Sequence, residues 1–150
     1  MFASREIYER FAECYAVKSA AHLAGILKLA PQTVQAWRRA DAPVPPIRLK
    51  KVVDEMGISW DWLIKGTEPK RRPDCETYPT KGFDWKSINT RFLDLFSGKT
   101  QDQIAEELGI KQVNVSRLKS GDMHTPWEKL KYAAVTYNVT WDWLMEGDEI

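Results

Sequence analysis

Apolar residues recur at helical spacing along this chain, and they do so twice in the same arrangement. In each arrangement three apolar side chains lie at positions i, i+4 and i+7: Ile7, Phe11 and Cys14, and then Ile88, Phe92 and Leu95. An apolar residue at every third or fourth position marks one buried face of a helix. No stretch shows the alternation of a half-buried strand, so the pattern predicts an all-α protein.

Further helices are predicted in the second arrangement from their end signals. Thr100 and Gln103 have the spacing of a capping box, and Gly109 permits a left-handed residue after the helix. Pro126 is typical of a first helical turn, and Thr140 of an N-cap. We therefore predict helices over 101–108, 112–119, 126–137 and 141–145, the third of which has an apolar face of Trp127, Leu130, Ala134 and Tyr137.

A shift of 81 residues aligns residues 7–66 with 88–147 without a gap. About 16 of the roughly 60 aligned pairs are identical, among them Arg10/Arg91, Ala24/Ala105, Val34/Val115 and the closing Trp-Asp-Trp-Leu at residues 60–63 and 141–144. A repeat of this length is a whole small domain rather than a solenoid unit. We predict a first domain over residues 1–66, a linker rich in proline and charge over 67–83, and a second domain over 84–150.

The net charge of +1 is unevenly distributed between the two halves of the chain. Residues 1–83 hold 14 Lys/Arg and 10 Asp/Glu, a balance of +4, whereas residues 84–150 hold 8 and 11, a balance of −3. A polyanion would therefore meet local basic faces rather than a uniformly basic body. No apolar run reaches membrane-spanning length and the first residues do not form a secretory signal, so we expect a soluble, cytoplasmic protein without a membrane partner.

The sequence offers little chemistry for catalysis. Cys14 lies on an apolar helix face and is expected in the core, whereas Cys75 lies in the linker, and a disulfide between them is disfavoured. Neither His22 nor His124 has another ligand at metal-binding spacing. We expect no cofactor, no metal, no small-molecule substrate and no enzymatic activity, and we interpret Asp61 and Asp142 as carboxylates that stabilise a helix start.

The segment 101–118 resembles a bacterial helix-turn-helix. It has alanine at its fifth position, glycine at its ninth, and apolar residues at its fifteenth and eighteenth, namely Ala105, Gly109, Val115 and Leu118. With its closing Trp-Asp-Trp-Leu, the unit resembles the DNA-binding domain of phage CI-type repressors. The resemblance covers both copies and implies two tandem five-helix lambda-repressor-like domains joined by a linker.

The first copy departs from this pattern at the turn. Ala24, Val34 and Trp37 match the motif, but Lys28 stands where the second copy has the turn glycine. Either this lysine adopts a left-handed conformation at a cost of roughly 1 kcal/mol, or the turn is built differently. Pro31 falls in the first turn of the next helix, where proline is tolerated.

The resemblance implies which side chains would meet double-stranded DNA. If Val115 and Leu118 point inward, the opposite face of the helix enters the major groove and reads bases with Gln112, Val113, Ser116 and Arg117, and in the first copy with Gln32, Gln35 and Ala36. Phosphates would be contacted by Gln101, Lys111, Lys119 and Ser120, and in the first copy by Lys28, Arg38 and Arg39. Because the two faces differ, we predict two non-identical half-sites.

Several features outside this face have two interpretations. The run Lys70-Arg71-Arg72 is either solvated linker or a further backbone or minor-groove contact. Alternate tryptophans in a short helix cannot both face one core, so Trp62 and Trp143 are expected at an interface between copies or between chains. The sequence does not distinguish two copies paired within one chain from a homodimer.

Two functions therefore compete. The first is a sequence-specific DNA-binding transcriptional regulator, of the phage or prophage repressor type. The alternative is a protein-binding adaptor, of the antitoxin or antirepressor type, in which one or both domains recognise a partner protein. The near-neutral charge, the acidic second copy and the altered turn of the first copy favour the alternative.

Overall fold

The structure, a computed structural model, describes residues 3–72 and 82–148. Residue 75, and with it the expectation for Cys75, lies outside the described residues. The chain divides into two compact units, Met1–Phe83 and Asp84–Ile150, which are called unit 1 and unit 2 below. No helix in the described residues has the length and apolar content needed to cross a membrane.

Each unit contains five helices in the described residues, and the all-α prediction is confirmed. Unit 1 consists of α1 (Arg5–Cys14), α2 (Ala20–Leu27), α3 (Pro31–Arg38), α4 (Pro46–Met56) and α5 (Trp60–Lys65). Unit 2 consists of α6 (Trp85–Asp94), α7 (Gln101–Leu108), α8 (Gln112–Ser120), α9 (Trp127–Thr136) and α10 (Trp141–Glu146). The 81-residue shift that aligns the sequences also aligns the five helices, each to within one or two residues.

The helix ends follow the local signals in the sequence. Thr100 Oγ1 accepts the amide of Gln103 at 3.2 Å, and Gln103 Oε1 accepts the amide of Thr100 at 2.9 Å, which is the predicted capping box. Thr140 caps α10, and Gly147 ends it in the left-handed region. The fourth helix of unit 2 is shorter than predicted, because Pro126 is its N-cap and the helix ends at Thr136.

The core of each unit forms where the apolar helix faces meet. Phe11 and Trp60 are fully buried in unit 1, and Phe92 and Leu130 in unit 2. The predicted faces are wrong by one residue at two places. Phe96, at i+8, is buried where Leu95, at i+7, is only half-buried, because α6 ends at Asp94 and the turn that follows carries the next ring inward. Its ring packs 5.3 Å from that of Phe92.

The other shifted position is in α9, where Ala133 is fully buried and Ala134 only half-buried. Either alanine is compatible with the spacing of the apolar face, so the sequence does not decide between them. Cys14 is also half-buried rather than a core residue, and it is a free thiol. Burial raises the pKa of this thiol to about 11, so the Cys14 side chain stays protonated at neutral pH.

An arginine of the first helix binds the end of the last helix in both units. Arg10 donates to the carbonyls of Leu63 at 2.7 Å and Ile64 at 2.8 Å, and Arg91 donates to the carbonyl of Leu144 at 2.9 Å. Carbonyls in the last turn of a helix have no partner within that helix, and a cation near them is favoured by the helix dipole. Partial burial lowers the pKa of both arginines, although a guanidinium stays charged in proteins.

The same contact explains an identical glycine pair. Gly66 and Gly147 both have φ of +75°. A Cβ on Gly66 would lie 3.3 Å from the Arg10 guanidinium, and a Cβ on Gly147 would lie 3.2 Å from that of Arg91. Only glycine provides both the left-handed turn and the space for that guanidinium. The identical pairs Arg10/Arg91 and Gly66/Gly147 therefore belong to one contact. We call this contact, between the arginine of the first helix and the end of the last helix, the arginine clamp.

Residues 70–72, placed by the sequence in the linker, pack on unit 1 as an extended segment that we call the strap. The carbonyl of Lys70 accepts the amide of Ser59 at 2.8 Å, and the amide of Arg72 donates to the carbonyl of Gly57 at 2.8 Å. Ile58 and Arg71 form an isolated antiparallel bridge between these two bonds. The strap therefore adds a short extended pairing to a unit that is otherwise helical.

The side chains of the strap are engaged as well. The Lys70 ammonium lies 4.9 Å from the centroid of the Trp62 ring and 3.5 Å from the carboxylate of Glu13. Arg72 is 7% exposed and donates to the carbonyl of Val53 at 3.0 Å. The interpretation of this run as solvated linker is wrong, and Trp62, expected at an interface, is covered by the strap of its own unit.

We expect substitution of Gly147 by alanine to destabilise the protein by about 1 kcal/mol, because the left-handed conformation is unfavourable for residues with a Cβ. Crowding of the Arg91 guanidinium would add to this cost. Gly25→Ala is the matched control, since Gly25 lies within α2 and its Cβ would meet nothing within 4 Å, and it should instead stabilise by about 0.5–1 kcal/mol. Urea denaturation measures both, and equal effects would contradict the left-handed conformation assigned to Gly147.

Candidate nucleic-acid interface

Two helices and a tight turn build the candidate interface of unit 2. Ala105, the alanine at the fifth position of the motif, is 7% exposed. Gly109 has φ of 67° and ψ of 32°, and the amide of Ile110 donates to the carbonyl of Ala105 at 3.0 Å, which turns the chain into α8. Ile110, which follows the turn glycine, is only half-buried, because it belongs to the turn itself.

The residues of α8 divide between core and solvent as the sequence predicts. Val115 is 0% and Leu118 1% exposed, whereas the predicted base-reading side chains are all exposed: Gln112, Val113, Ser116 and Arg117. Val113 is the apolar member of this set and is 54% exposed. The helix thus presents a continuous outer face with hydrogen-bonding groups, one cation and one apolar group.

Three of the four predicted phosphate contacts of unit 2 lie at the ends of α8, and the fourth begins α7. Lys111, at the N-cap of α8, and Lys119, in its last turn, are exposed, and Gln101 is the half-buried first residue of α7. Ser120 differs from the other three because its hydroxyl is engaged within the unit. It lies 2.9 Å from a carboxylate oxygen of Asp122 and 3.1 Å from the carbonyl of Arg117.

Unit 1 forms the same turn with a lysine. Lys28 has φ of 57° and ψ of 44°, so it adopts the left-handed conformation, the first of the two alternatives left open by the sequence. The amide of Leu29 donates to the carbonyl of Ala24 at 2.9 Å, which matches the bond from Ile110 to Ala105. Pro31 opens α3 at its first position, as predicted.

The outer face of α3 is less open than that of α8. Val34 and Trp37 are buried, and Gln32 is exposed, but Gln35 and Ala36 are only half-buried. The predicted phosphate contacts Lys28, Arg38 and Arg39 are all exposed, although Arg39 lies just beyond the end of the helix. Unit 1 therefore presents more positive charge and fewer accessible base-reading groups than unit 2.

A buried asparagine missed by the sequence analysis holds the loop that follows α8. Asn89 is 1% exposed, donates to the carbonyl of Met123 at 2.8 Å, and accepts from the amide of Thr125 at 3.1 Å. The Thr125 hydroxyl lies 2.5 Å from the same oxygen. In the sequence, Asn89 is noticeable only as a polar residue directly after Ile88. That position does not indicate which backbone groups the Asn89 side chain would bind.

A second cluster missed by the sequence analysis neutralises part of the acidic charge of unit 2. Glu107 accepts hydrogen bonds from Lys99, from Tyr137 at 2.6 Å and from Tyr132 at 3.1 Å. The bond from Lys99, followed by that from Tyr137, lowers the pKa of Glu107. This carboxylate therefore stays ionised and paired at neutral pH.

The equivalent place in unit 1 is an open groove of about 490 Å³. Apolar and charged side chains, one of them the acidic Glu55, line this groove. Ile26 stands at the position of Glu107, Lys51 at that of Tyr132 and Met56 at that of Tyr137. The two units thus share a backbone arrangement and differ in the chemistry of their surfaces. The described residues contain no group of three or more side chains suited to hold a metal ion.

Comparison with models of protein families, with curated proteins and with solved structures found no match to this chain.

We expect reciprocal substitutions at the two turns to have opposite effects. Lys28→Gly should stabilise unit 1 by about 1 kcal/mol, because glycine adopts the left-handed conformation without steric cost. Gly109→Lys should destabilise unit 2 by a similar amount, since nothing within 4 Å of its added Cβ would cause a further clash. Thermal denaturation of the two variants provides the measurement, and shifts of the same sign would contradict this assignment.

Proposed function

We propose that this chain is a sequence-specific double-stranded DNA-binding transcriptional regulator that reads two non-identical half-sites. The observation that carries this proposal is the outer face of α8. Its base-reading candidates are exposed together, while Val115 and Leu118 of the same helix are buried. The face lies on a helix entered through a tight turn from α7, the arrangement with which helix-turn-helix proteins enter the major groove.

The side chains of this face suit the edges of base pairs. The guanidinium of Arg117 matches the two acceptors that guanine presents in the major groove, and the amide of Gln112 matches adenine. Val113, more than half exposed, suits the methyl group of thymine.

Unit 1 supports a second and different contact. Gln32 is the accessible base-reading group of α3, and Lys28, Arg38 and Arg39 supply charge for phosphates. Because Ala36 replaces Arg117 and Gln32 replaces Val113, the two units would prefer different base pairs. Linking two such units raises the effective concentration of the second once the first is bound, so two modest affinities give one tight complex. Such a regulator would act by occupying its site and excluding polymerase.

A second candidate, a protein-binding adaptor, is favoured by two observations. Val113 and the half-buried pair Gln35 and Ala36 would also suit contact with another protein, and unit 2 carries a net charge of −3. Binding to a protein would lack the steep salt dependence of phosphate contacts.

We expect selection from random duplex DNA to enrich a motif of two different halves. Arg117→Ala should reduce the base preference in one half of the motif, and Gln32→Ala should reduce it in the other half. Each substitution should cost about 1–3 kcal/mol of discrimination at the base pair concerned. Arg5→Ala is the control, because it removes the same charge from an exposed site on α1 that pairs with Glu9. A selection that enriches no motif would contradict the proposal and favour the adaptor.

We expect Lys119→Ala to weaken binding to all DNA sequences about equally. Removal of one phosphate contact should reduce the slope of log affinity against log salt concentration by about 1. Titrations of the selected duplex at several salt concentrations measure this slope. An unchanged slope would show that Lys119 does not contact phosphate.

A further inference from the structure

We infer that the groove of unit 1 binds a small aryl carboxylate, a molecule with one aromatic ring and one carboxylate a few bonds from it. The groove, of about 490 Å³, lies between the C-terminal ends of α1 and α2 and one side of α4. Its volume falls within the range of small-molecule sites in proteins, roughly 300–1,000 Å³. Binding of such a ligand does not require the proposed contact with DNA.

The equivalent place in unit 2 shows which groups complete this part of the fold. The Tyr137 ring packs edge-to-face on Phe96 with 5.1 Å between the ring centroids, and its hydroxyl donates to Glu107 at 2.6 Å. Phe96 is 1% exposed. The chain itself therefore supplies an aromatic ring and a carboxylate here, held in contact with each other.

Unit 1 has neither of these two groups at the equivalent positions. Tyr15 stands where unit 2 has Phe96, but it is half-buried rather than fully buried. Met56 replaces the tyrosine, and Ile26, which is 44% exposed, replaces the glutamate. These three side chains form an apolar surface that a ligand ring would cover, as the Tyr137 ring covers Phe96.

The groups that bind the carboxylate in unit 2 correspond to two lysines in unit 1. Lys99 and the Tyr132 hydroxyl both bind Glu107 in unit 2, the hydroxyl at 3.1 Å. Lys18 and Lys51 stand at the equivalent positions, and both are exposed. Unit 1 thus keeps one cation and gains another where its own carboxylate is missing.

The charge of the groove lining complements an anion. Lys28, Arg48 and Lys51 line the groove together with one carboxylate, that of Glu55, a balance of +2. Among the described residues, none of these three cations forms an ion pair, and neither does Lys18. A carboxylate supplied by a ligand would gain charge-assisted hydrogen bonds from them.

Charge and apolar surface together define the class of ligand. An ammonium ligand would be repelled by the net positive charge, and a simple anion such as phosphate would leave Ile26 and the Tyr15 ring uncovered. Burial raises the pKa of Tyr15, so its hydroxyl is uncharged at neutral pH and does not oppose an anion. An aryl carboxylate satisfies the apolar surface and the cations at once.

The test is titration of the full chain with 3-phenylpropionate, followed by two-dimensional amide NMR. We expect saturable shifts at residues 15, 26–28 and 51–56, with an affinity in about the millimolar range, because so small a ligand makes few contacts. Residues 96, 107–109 and 132–137 are the internal control and should not shift, since unit 2 already holds its own ring and carboxylate there.

Two related probes separate the ring from the charge. 3-Phenylpropionamide keeps the ring without the charge and should bind at least about threefold more weakly, whereas acetate should give no saturable shifts. Lys51→Met should weaken binding of the carboxylate about threefold and leave that of the amide unchanged. Lys65→Met is the matched control, because it removes the same charge from an exposed residue outside the groove.

A double variant, Ile26→Glu with Met56→Tyr, gives unit 1 the carboxylate and the ring of unit 2 and should abolish binding. Absence of saturable shifts in the unit 1 groove, equal affinities for the acid and the amide, or full binding by the double variant would each overturn the inference. Shifts that inorganic phosphate reproduces would assign these cations to phosphate contacts and would overturn it as well.

Discussion

The arginine clamp closes each unit. A domain of about 60 residues buries only some 60% of the surface of its unfolded chain, so the contact that joins its first and last helices matters more than in a larger fold. Arg10 and Arg91 make this contact through backbone carbonyls rather than through side chains. Because carbonyls are present whatever the sequence of the last helix, the clamp tolerates the changes that distinguish Ile64 from Met145 and Lys65 from Glu146.

With the helices fixed in this way, the surfaces of the two units have diverged. Unit 2 binds Glu107 with a lysine and two tyrosines where unit 1 leaves a groove, and it buries Asn89 where unit 1 buries Tyr8. Each exchange changes the side-chain chemistry at one place, while the equivalent helices keep their bounds to within one residue. Two copies that fold alike can therefore present different faces to DNA or to a protein.

The sequence predicts the parts of this structure that depend on local signals. Capping residues, left-handed glycines and apolar spacing locate the helices, and the inward positions Val115 and Leu118 define the outer face of α8. What the sequence does not reveal depends on contacts between distant residues. Asn89 and Thr125 are 36 residues apart, and Lys70 meets Glu13 across most of unit 1. One-residue errors such as Leu95 for Phe96 arise where a helix ends and its periodicity no longer applies.

The strap separates two boundaries that are usually taken to coincide. The repeat ends at Gly66 in unit 1, but the folding unit includes the chain at least to Arg72, because residues 70–72 cover Trp62 and pair with the backbone on either side of Ile58. A fragment cut at the repeat boundary would expose the Trp62 ring and leave the amide of Ser59 and the carbonyl of Gly57 without their strap partners, in a unit too small to compensate for the loss. The repeated segment therefore ends at Gly66, whereas the segment that folds as a unit is longer and includes residues 70–72.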